Sequence, residues 1–457
     1  MQLGVILNRV FRVKNNPLFQ YITEHQDDID KLYLILPLED LSDAAEAKRN
    51  YYHKVVSHFV KSLEYHQIYP YIVTYTSLEA FLDELTLTHV LMGKDIMSYH
   101  KATYDFSHIK SDLEQHHIEV IGLRVNHYFQ PSMTFNKQQQ PYKVFTRFYQ
   151  ENRKQLIAHP NMDYQYKQLS QLVEKGFNMS DIELSSNLSM EEDVRTAWHN
   201  FLSEDISNYK QLIDDVTQDD VSGLGKYLAY GLLDIREIVT DLLAGYETDE
   251  TNYEAFIREV LFREFYYVLM TQYPETAVQS FSKKYRSMNW SYNQTNFKAW
   301  QQGQTGYPIV DAAMHKLNQT GYMHNRLRMV VSQFLTKHLF IDWTWGEDYF
   351  RQYLIDYDNA SNVHGWQWSA STGTDAVPYF RMFNPIRQSE RFDAQGDFIK
   401  TQLEILNDVP SKYIHNPTRY KDVLQEQYHI EIGKDYPQAI VDHKACRDYV
   451  MHQFKQY

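Results

Sequence analysis

Up to about residue 125 the apolar residues come in short β-branched and aromatic runs; beyond about residue 190 they recur at helical spacing. The two patterns read as an N-terminal α/β domain followed by a larger helical one. The runs fall at 3–8, 32–37, 68–75, 88–93 and 118–125, separated by helical patterns over 44–63 and 77–85. That alternation predicts a parallel sheet with helical crossovers, a Rossmann-like α/β domain. Ser77, followed by Glu79, Phe81, Leu82 and Leu85, is expected to cap one crossover helix. No Gly-x-Gly-x-x-Gly follows the first run, so dinucleotide binding has no local support in this domain.

At 457 residues the chain is long for one hydrophobic core, and two domains are expected. Pro131, Gln138-Gln139-Gln140-Pro141, His159-Pro160 and a Ser/Asn-rich stretch at 185–189 break the pattern between them. The expected division is an α/β domain over 1–128, an interdomain connection over 129–190 and a larger all-helical domain over 191–457. In the helical part, Ile257, Val260, Leu261, Phe265, Val268 and Leu269 form one stripe, while Glu259, Phe262, Arg263 and Tyr266 share another face. Pro308 reads as a first-turn proline and Gly321 as a stop. A helix starting near Tyr322 projects Asn325, Arg328, Met329 and Ser332 together.

Six of the seven tryptophans lie between Trp290 and Trp368. They end in Gly365-Trp366-Gln367-Trp368-Ser369-Ala370-Ser371-Thr372-Gly373-Thr374-Asp375-Ala376, a run too polar and Gly-rich for ordinary core. Rings crowded among small polar residues suit a site where flat molecules stack and backbone approaches a ligand. The single cysteine, Cys446, excludes an intrachain disulfide and a multi-cysteine metal site. No His cluster with ligand spacing supports a metal, and none is assigned. No apolar run reaches the length of a membrane span, no secretory signal layout opens the chain, and a cytoplasmic protein is expected. The net charge of -14 opposes indiscriminate nucleic-acid binding. Residues 258–400, however, carry 15 Lys plus Arg against 13 Asp plus Glu, which concentrates the acidity elsewhere.

Four motifs in the second half resemble the DNA photolyase and cryptochrome family. They are Trp300-Gln301-Gln302-Gly303-Gln304-Thr305-Gly306-Tyr307-Pro308-Ile309-Val310-Asp311, His324-Asn325-Arg326-Leu327-Arg328-Met329, the Trp366 to Asp375 run, and Tyr379-Phe380-Arg381-Met382-Phe383-Asn384-Pro385. Pro141-Tyr142-Lys143-Val144-Phe145-Thr146 resembles a further signature. The resemblance implies non-covalent FAD in the helical domain, held by Tyr209, Val221, Ser222, Gly223, Leu224, Gly225, Phe256, Arg263, Arg328, Asp356, Tyr357, Asp358 and Asn362. Arg328 and Asp356 are expected to pair, and Asn362 is the residue facing flavin N5, where photolyases carry Asn. Trp366, Trp343 and Trp290 resemble the family's electron-transfer triad. Glu259, Asn325, Met329 and Trp368 are implied around a flipped-out pyrimidine dimer, with Phe262, Arg326 and Arg381 as further DNA contacts. Lys283, Lys284, Arg286, Arg387 and Arg391 are candidates for a DNA groove.

The implied activity is light-dependent repair of cyclobutane pyrimidine dimers in UV-damaged DNA. An electron passes from excited reduced FAD to the dimer, the ring splits and the electron returns. The Asn325 to Met329 pattern resembles the cyclobutane-dimer enzymes, and a monomer is expected. The alternative is a cryptochrome-like blue-light receptor; the short tail after 436–442 is expected to argue against it. Three departures stand out. Phe262 replaces the Trp of many members, Val221-Ser222-Gly223-Leu224-Gly225-Lys226 replaces a Thr-Ser-x-Leu-Ser-Pro pattern, and Tyr99-His100-Lys101 stands where a folate-binding Glu is sought. A second, antenna chromophore of unidentified type is therefore left open.

Overall fold

The computed structural model describes residues 1–95, 106–162, 164, 166–180, 190–218 and 222–457, with the side chains of 190–192 left out. Two compact units account for them. The first comprises 1–207, 222–274 and 358–360; the second comprises 208–221, 275–357 and 361–457.

In the first unit, β1 (Gln2–Ile6), β2 (Lys31–Leu38), β3 (Tyr71–Thr74), β4 (His89–Gly93) and β5 (Glu119–Leu123) form one parallel sheet in the order β3-β2-β1-β4-β5. β1 pairs with both β2 and β4, with Val5 opposite Leu34 and Leu91. Seven of the eight residues of β2 are buried, as expected of a strand covered on both faces, and its sequence is accordingly a continuous apolar run. The strand order reverses at β1 and β4, which places the chain after each of them at the crevice where doubly wound sheets take ligands. The sheet is the Rossmann-like one expected.

α1 (Glu46–Tyr65) and α2 (Leu78–Glu84) are the two crossover helices expected. Ser77 does not cap α2. It sits in a helical conformation closing a 3₁₀ turn, and its hydroxyl donates to the carbonyl of Thr74. The stretch read as a connection also holds two short helices, α3 (Phe145–Asn152) and α4 (Tyr166–Leu172). α5 (Glu250–Gln272) follows in the first unit, capped by Asp249, whose side chain accepts from Asn252 N.

The second unit is helical: α6 (Pro308–Thr320), α7 (Asn325–Gln333), α8 (Trp343–Tyr353), the greater part of α9 (Asn359–Ala370), α10 (Pro385–Phe392) and α11 (His443–Phe454) form its main elements. α6 starts on Pro308 and ends on Gly321, which takes φ 69° and donates to Leu317 O, a left-handed stop that suits glycine. The polar run after Gly365 proves to be interior. Gln367, Ser369 and Thr372 are buried, and Gln367 satisfies its amide by donating to Thr276 O and Gln279 O and accepting from Phe281 N. Ser369 Oγ likewise accepts from Ser332 Oγ at 2.6 Å, whereas among the described residues the Thr372 hydroxyl is enclosed without a hydrogen-bond partner. Among the described residues no helix is long and apolar enough to cross a membrane.

Candidate functional site

In the first unit, α5 turns its apolar stripe inward and leaves Glu259, Phe262, Arg263 and Tyr266 at the margin, each neither buried nor fully exposed. Glu264, which is fully buried, fastens this helix to the segment following β5. Its carboxylate accepts from the backbone N–H of Tyr128 and Phe129 at 2.9 and 3.0 Å and lies 3.0 Å from His127 Nδ1. Burial works against its charge, yet His127, Arg263 and the backbone donors outweigh it and hold the carboxyl below its ordinary value. Nothing in the sequence pattern marked Glu264, because a charge one residue after Arg263 reads as surface. Arg263 donates to Asn126 O at 2.8 Å and lines a small polar cavity with Arg9, Asp95, Asn126, His127 and Asp358. Arg9 and Asp95 come from just beyond β1 and β4, so the cavity lies at the sheet's crossover crevice.

Phe256 packs as a core ring, with its centroid 5.7 Å from that of Trp198 and 5.2 Å from that of Phe201. Gly223 adopts φ 67° ahead of the helix Leu224–Ala229, and Leu224 N–H lies 3.4 Å from Ser222 Oγ. Gly225 is exposed. Val221, like Tyr99, His100 and Lys101, falls outside the described residues.

In the second unit, His324 is the N-cap of α7. Its Nδ1 accepts from Arg326 N, and burial together with Arg328 pushes its pKa down to about 4, so the ring stays neutral as a cap requires. The cap aims Asn325 and Met329 out along one face, with Asn325 exposed. Arg326 is held by Asp214 at 2.6 Å and lies over the Phe392 ring. The expected pair forms: Arg328 Nη2 donates to Asp356 Oδ2 at 2.6 Å. Tyr209 is buried on the short helix Tyr209–Leu212.

Asn362 lies in the first turn of α9 and donates from Nδ2 to Glu347 Oε1 at 3.0 Å and to Glu347 O at 3.2 Å. Tyr357 OH donates to the same carboxyl oxygen at 2.9 Å. Glu347 is buried, and burial pushes its pKa up to about 7. Sequence reasoning missed Glu347, although its place four residues after Trp343 puts it on that residue's buried face.

Trp290, Trp343 and Trp366 are all buried. Trp366 meets Trp300 and Phe350 edge-on, with centroids at 6.0 and 5.0 Å. The α8 backbone lies against the Trp366 ring at Gly346, three residues after Trp343. Trp290 packs on Phe340 at 4.9 Å, and its neighbour Ser291 bridges to Ile341, two residues before Trp343. Trp368 is half-buried on α9, and Arg381 is exposed. Among the described residues, Asp356 Oδ1 and Trp366 Nε1 are two of several enclosed polar atoms of this unit that lack a hydrogen bond. An enclosed acceptor and donor left open fit a polar, flat cofactor such as a flavin.

Residues 256–456 match the family model described as the FAD binding domain of DNA photolyase. A deoxyribodipyrimidine photo-lyase of Alkalihalophilus pseudofirmus is 39% identical over 341 residues, 71% of this chain and 70% of that protein. The chain belongs to the DNA photolyase family. Its helical part is an FAD-binding domain of that family. Among solved structures, a class III photolyase from Agrobacterium tumefaciens superposes with a TM-score of 0.84 at 27% identity, covering 100% of this chain and 97% of that one. The Synechocystis cryptochrome reaches 0.85 at 23% identity over 99% and 98% of the two chains, a likeness of fold.

Proposed function

We propose that the protein repairs cyclobutane pyrimidine dimers in UV-damaged DNA by light. The observation that carries this reading is the orientation of Asn362. Its Nδ2 is spent on Glu347, including a backbone carbonyl that only a donor can serve, so Oδ1 is the edge left for a cofactor. An acceptor there suits an N–H, which the oxidised flavin ring lacks at N5 and the fully reduced ring that repair uses carries. Bound and reduced, FAD supplies the photo-excited electron. The protein's own residues do the rest.

Following the family resemblance, we assign Tyr209, Phe256, Arg263, Arg328, Asp356, Tyr357, Asp358, Asn362 and residues 221–225 to holding it. Glu259, Asn325, Met329 and Trp368 bind the flipped dimer, the first two through pyrimidine edges and the others through apolar contact. Flipping costs least for a damaged, poorly stacked base, and selectivity begins with that cost. Phe262, Arg326 and Arg381 contact the surrounding DNA, and Trp366, Trp343 and Trp290 relay electrons that restore the reduced cofactor. A second, antenna chromophore of unidentified type is left open beside it.

The test is anaerobic illumination of thymine-dimer DNA with the reduced holoenzyme under near-UV or blue light, scored against darkness. Light-dependent loss of dimers is expected. Its absence with FAD bound and reduced overturns the reading in favour of a receptor.

A further inference from the structure

Arg258 precedes Glu259 on α5, and Arg258, Phe262 and Tyr266 follow one another at i, i+4 and i+8 along one stripe of that helix. Beside the stripe, α3 lays Phe145 and Tyr149, also one turn apart. The Phe145 and Phe262 rings are stacked, with centroids 3.3 Å apart and planes 9° from parallel. The Arg258 guanidinium lies 4.7 Å from the Phe145 centroid, 5.2 Å from that of Tyr149 and 5.5 Å from that of Phe262. Glu254, one turn back, is held by Arg153 and also feels the Arg258 charge, and among the described residues Arg258 forms no close salt bridge of its own. The side chain remains partly open to solvent.

A guanidinium laid on rings is ordered before any ligand arrives, so less rotamer freedom is lost when its N–H edge meets an acceptor. Rings alternating with a cation are the surface chemistry that takes a phosphate backbone carrying unstacked bases. The patch is also continuous along α5 with Glu259 and Phe262. We infer that Arg258 and Phe262, backed by the buried Phe145 ring, form one composite wall that binds the DNA strand beside the dimer, the Arg258 edge to a phosphate and the open edge of Phe262 to the adjacent base. Phe262 is smaller than the Trp of many family members. Phe145 backs it, and the Arg258 plane restores the lost width.

This inference rests on the repair reading, and the test separates the two. Binding of a thymine-dimer oligonucleotide to the holoenzyme is followed by fluorescence anisotropy across a salt series, alongside light-driven repair. R258M keeps the aliphatic stem on the rings, so its fold is retained even where R258A loosens α3. In R258M, Kd is expected to rise about fivefold to tenfold, and the slope of log affinity against log salt to fall by about 1. Repair per absorbed photon at saturating DNA stays unchanged. R258K restores the salt slope, because it restores the charge, but not the full affinity, because it lacks the plane. Unchanged Kd and slope in R258M overturn the inference while leaving repair by the parent enzyme intact. Weakened binding in R258M with no repair by the parent enzyme leaves the contact standing and overturns the repair reading.

Discussion

Glu347 sets the chemistry of its neighbourhood through a proton. Buried on α8 and hydrogen-bonded by Tyr357 and Asn362, its carboxyl is pushed up from the ordinary 4.5 to about 7. The folded state therefore holds this proton over a range in which the unfolded chain has lost it. Stability from this group is undiminished below pH 4.5 and falls as pH rises toward 7, above which both states are ionised and the loss levels off. The difference amounts to about 3 kcal/mol, taking ~1.4 kcal/mol for each pKa unit. Glu347→Gln should remove that slope: denaturant melts at pH 5 and pH 7 should differ by less in the variant than in the parent, and equal differences would refute the buried-proton assignment. Asn362 was legible from its offset to Trp366 and the family resemblance. Glu347 was not, because a Glu beside Asp348 on an amphipathic helix looks like a solvated face until the burial of Trp343 fixes which side is in.

Elements with strong punctuation were the readable ones. All five strands lie at the expected runs, since β-branched residues in short blocks fit only a covered sheet. Pro308 and Gly321 bounded α6 for stereochemical reasons that hold in any surroundings. α3 and α4 were missed because seven or eight residues give too few turns for a periodic signal, and their stability comes from packing such as that of Phe145 on Phe262. Helix packing also explains Gly346, which the sequence left unremarked. A Cβ there would stand 2.1 Å from Trp366 Cη2 and 2.7 Å from Leu335 Cδ2, closer than real side chains approach. Gly346→Ala should therefore push α8 and the Trp366 ring apart, costing about 1 to 3 kcal/mol of stability as overpacked cores do. Light-driven flavin reduction with an external reductant should slow with it. A variant as stable as the parent would show that α8 stands further from Trp366 than the geometry indicates.

Across the whole chain, charge and proposed function pull in opposite directions. A protein of net charge -14 repels DNA at long range, yet residues 258–400 are close to neutral, and Arg381, Arg387 and Arg391 are exposed within the second unit. Arg387 and Arg391 share one face of α10, at i and i+4. Salt acts on both terms, screening the repulsion and competing with local phosphate contacts. If the acidic bulk dominated, affinity for DNA would rise with salt; if the local cations do, it falls, by about 0.9 in the log–log slope for each phosphate neutralised. The second outcome is expected, and Arg381→Ala and Arg387→Ala should each flatten the slope by about that amount, equally for damaged and intact duplexes. Phe262→Ala should behave otherwise. It removes a ring but no charge, so the slope should stay fixed while the preference for dimer-containing DNA falls by about tenfold, the loss of roughly 1 to 3 kcal/mol of stacking. Repair per photon at saturation should be nearly unaffected. A dimer preference that moves in Arg387→Ala would mean that the α10 cations and the surface that recognises damage are not separate.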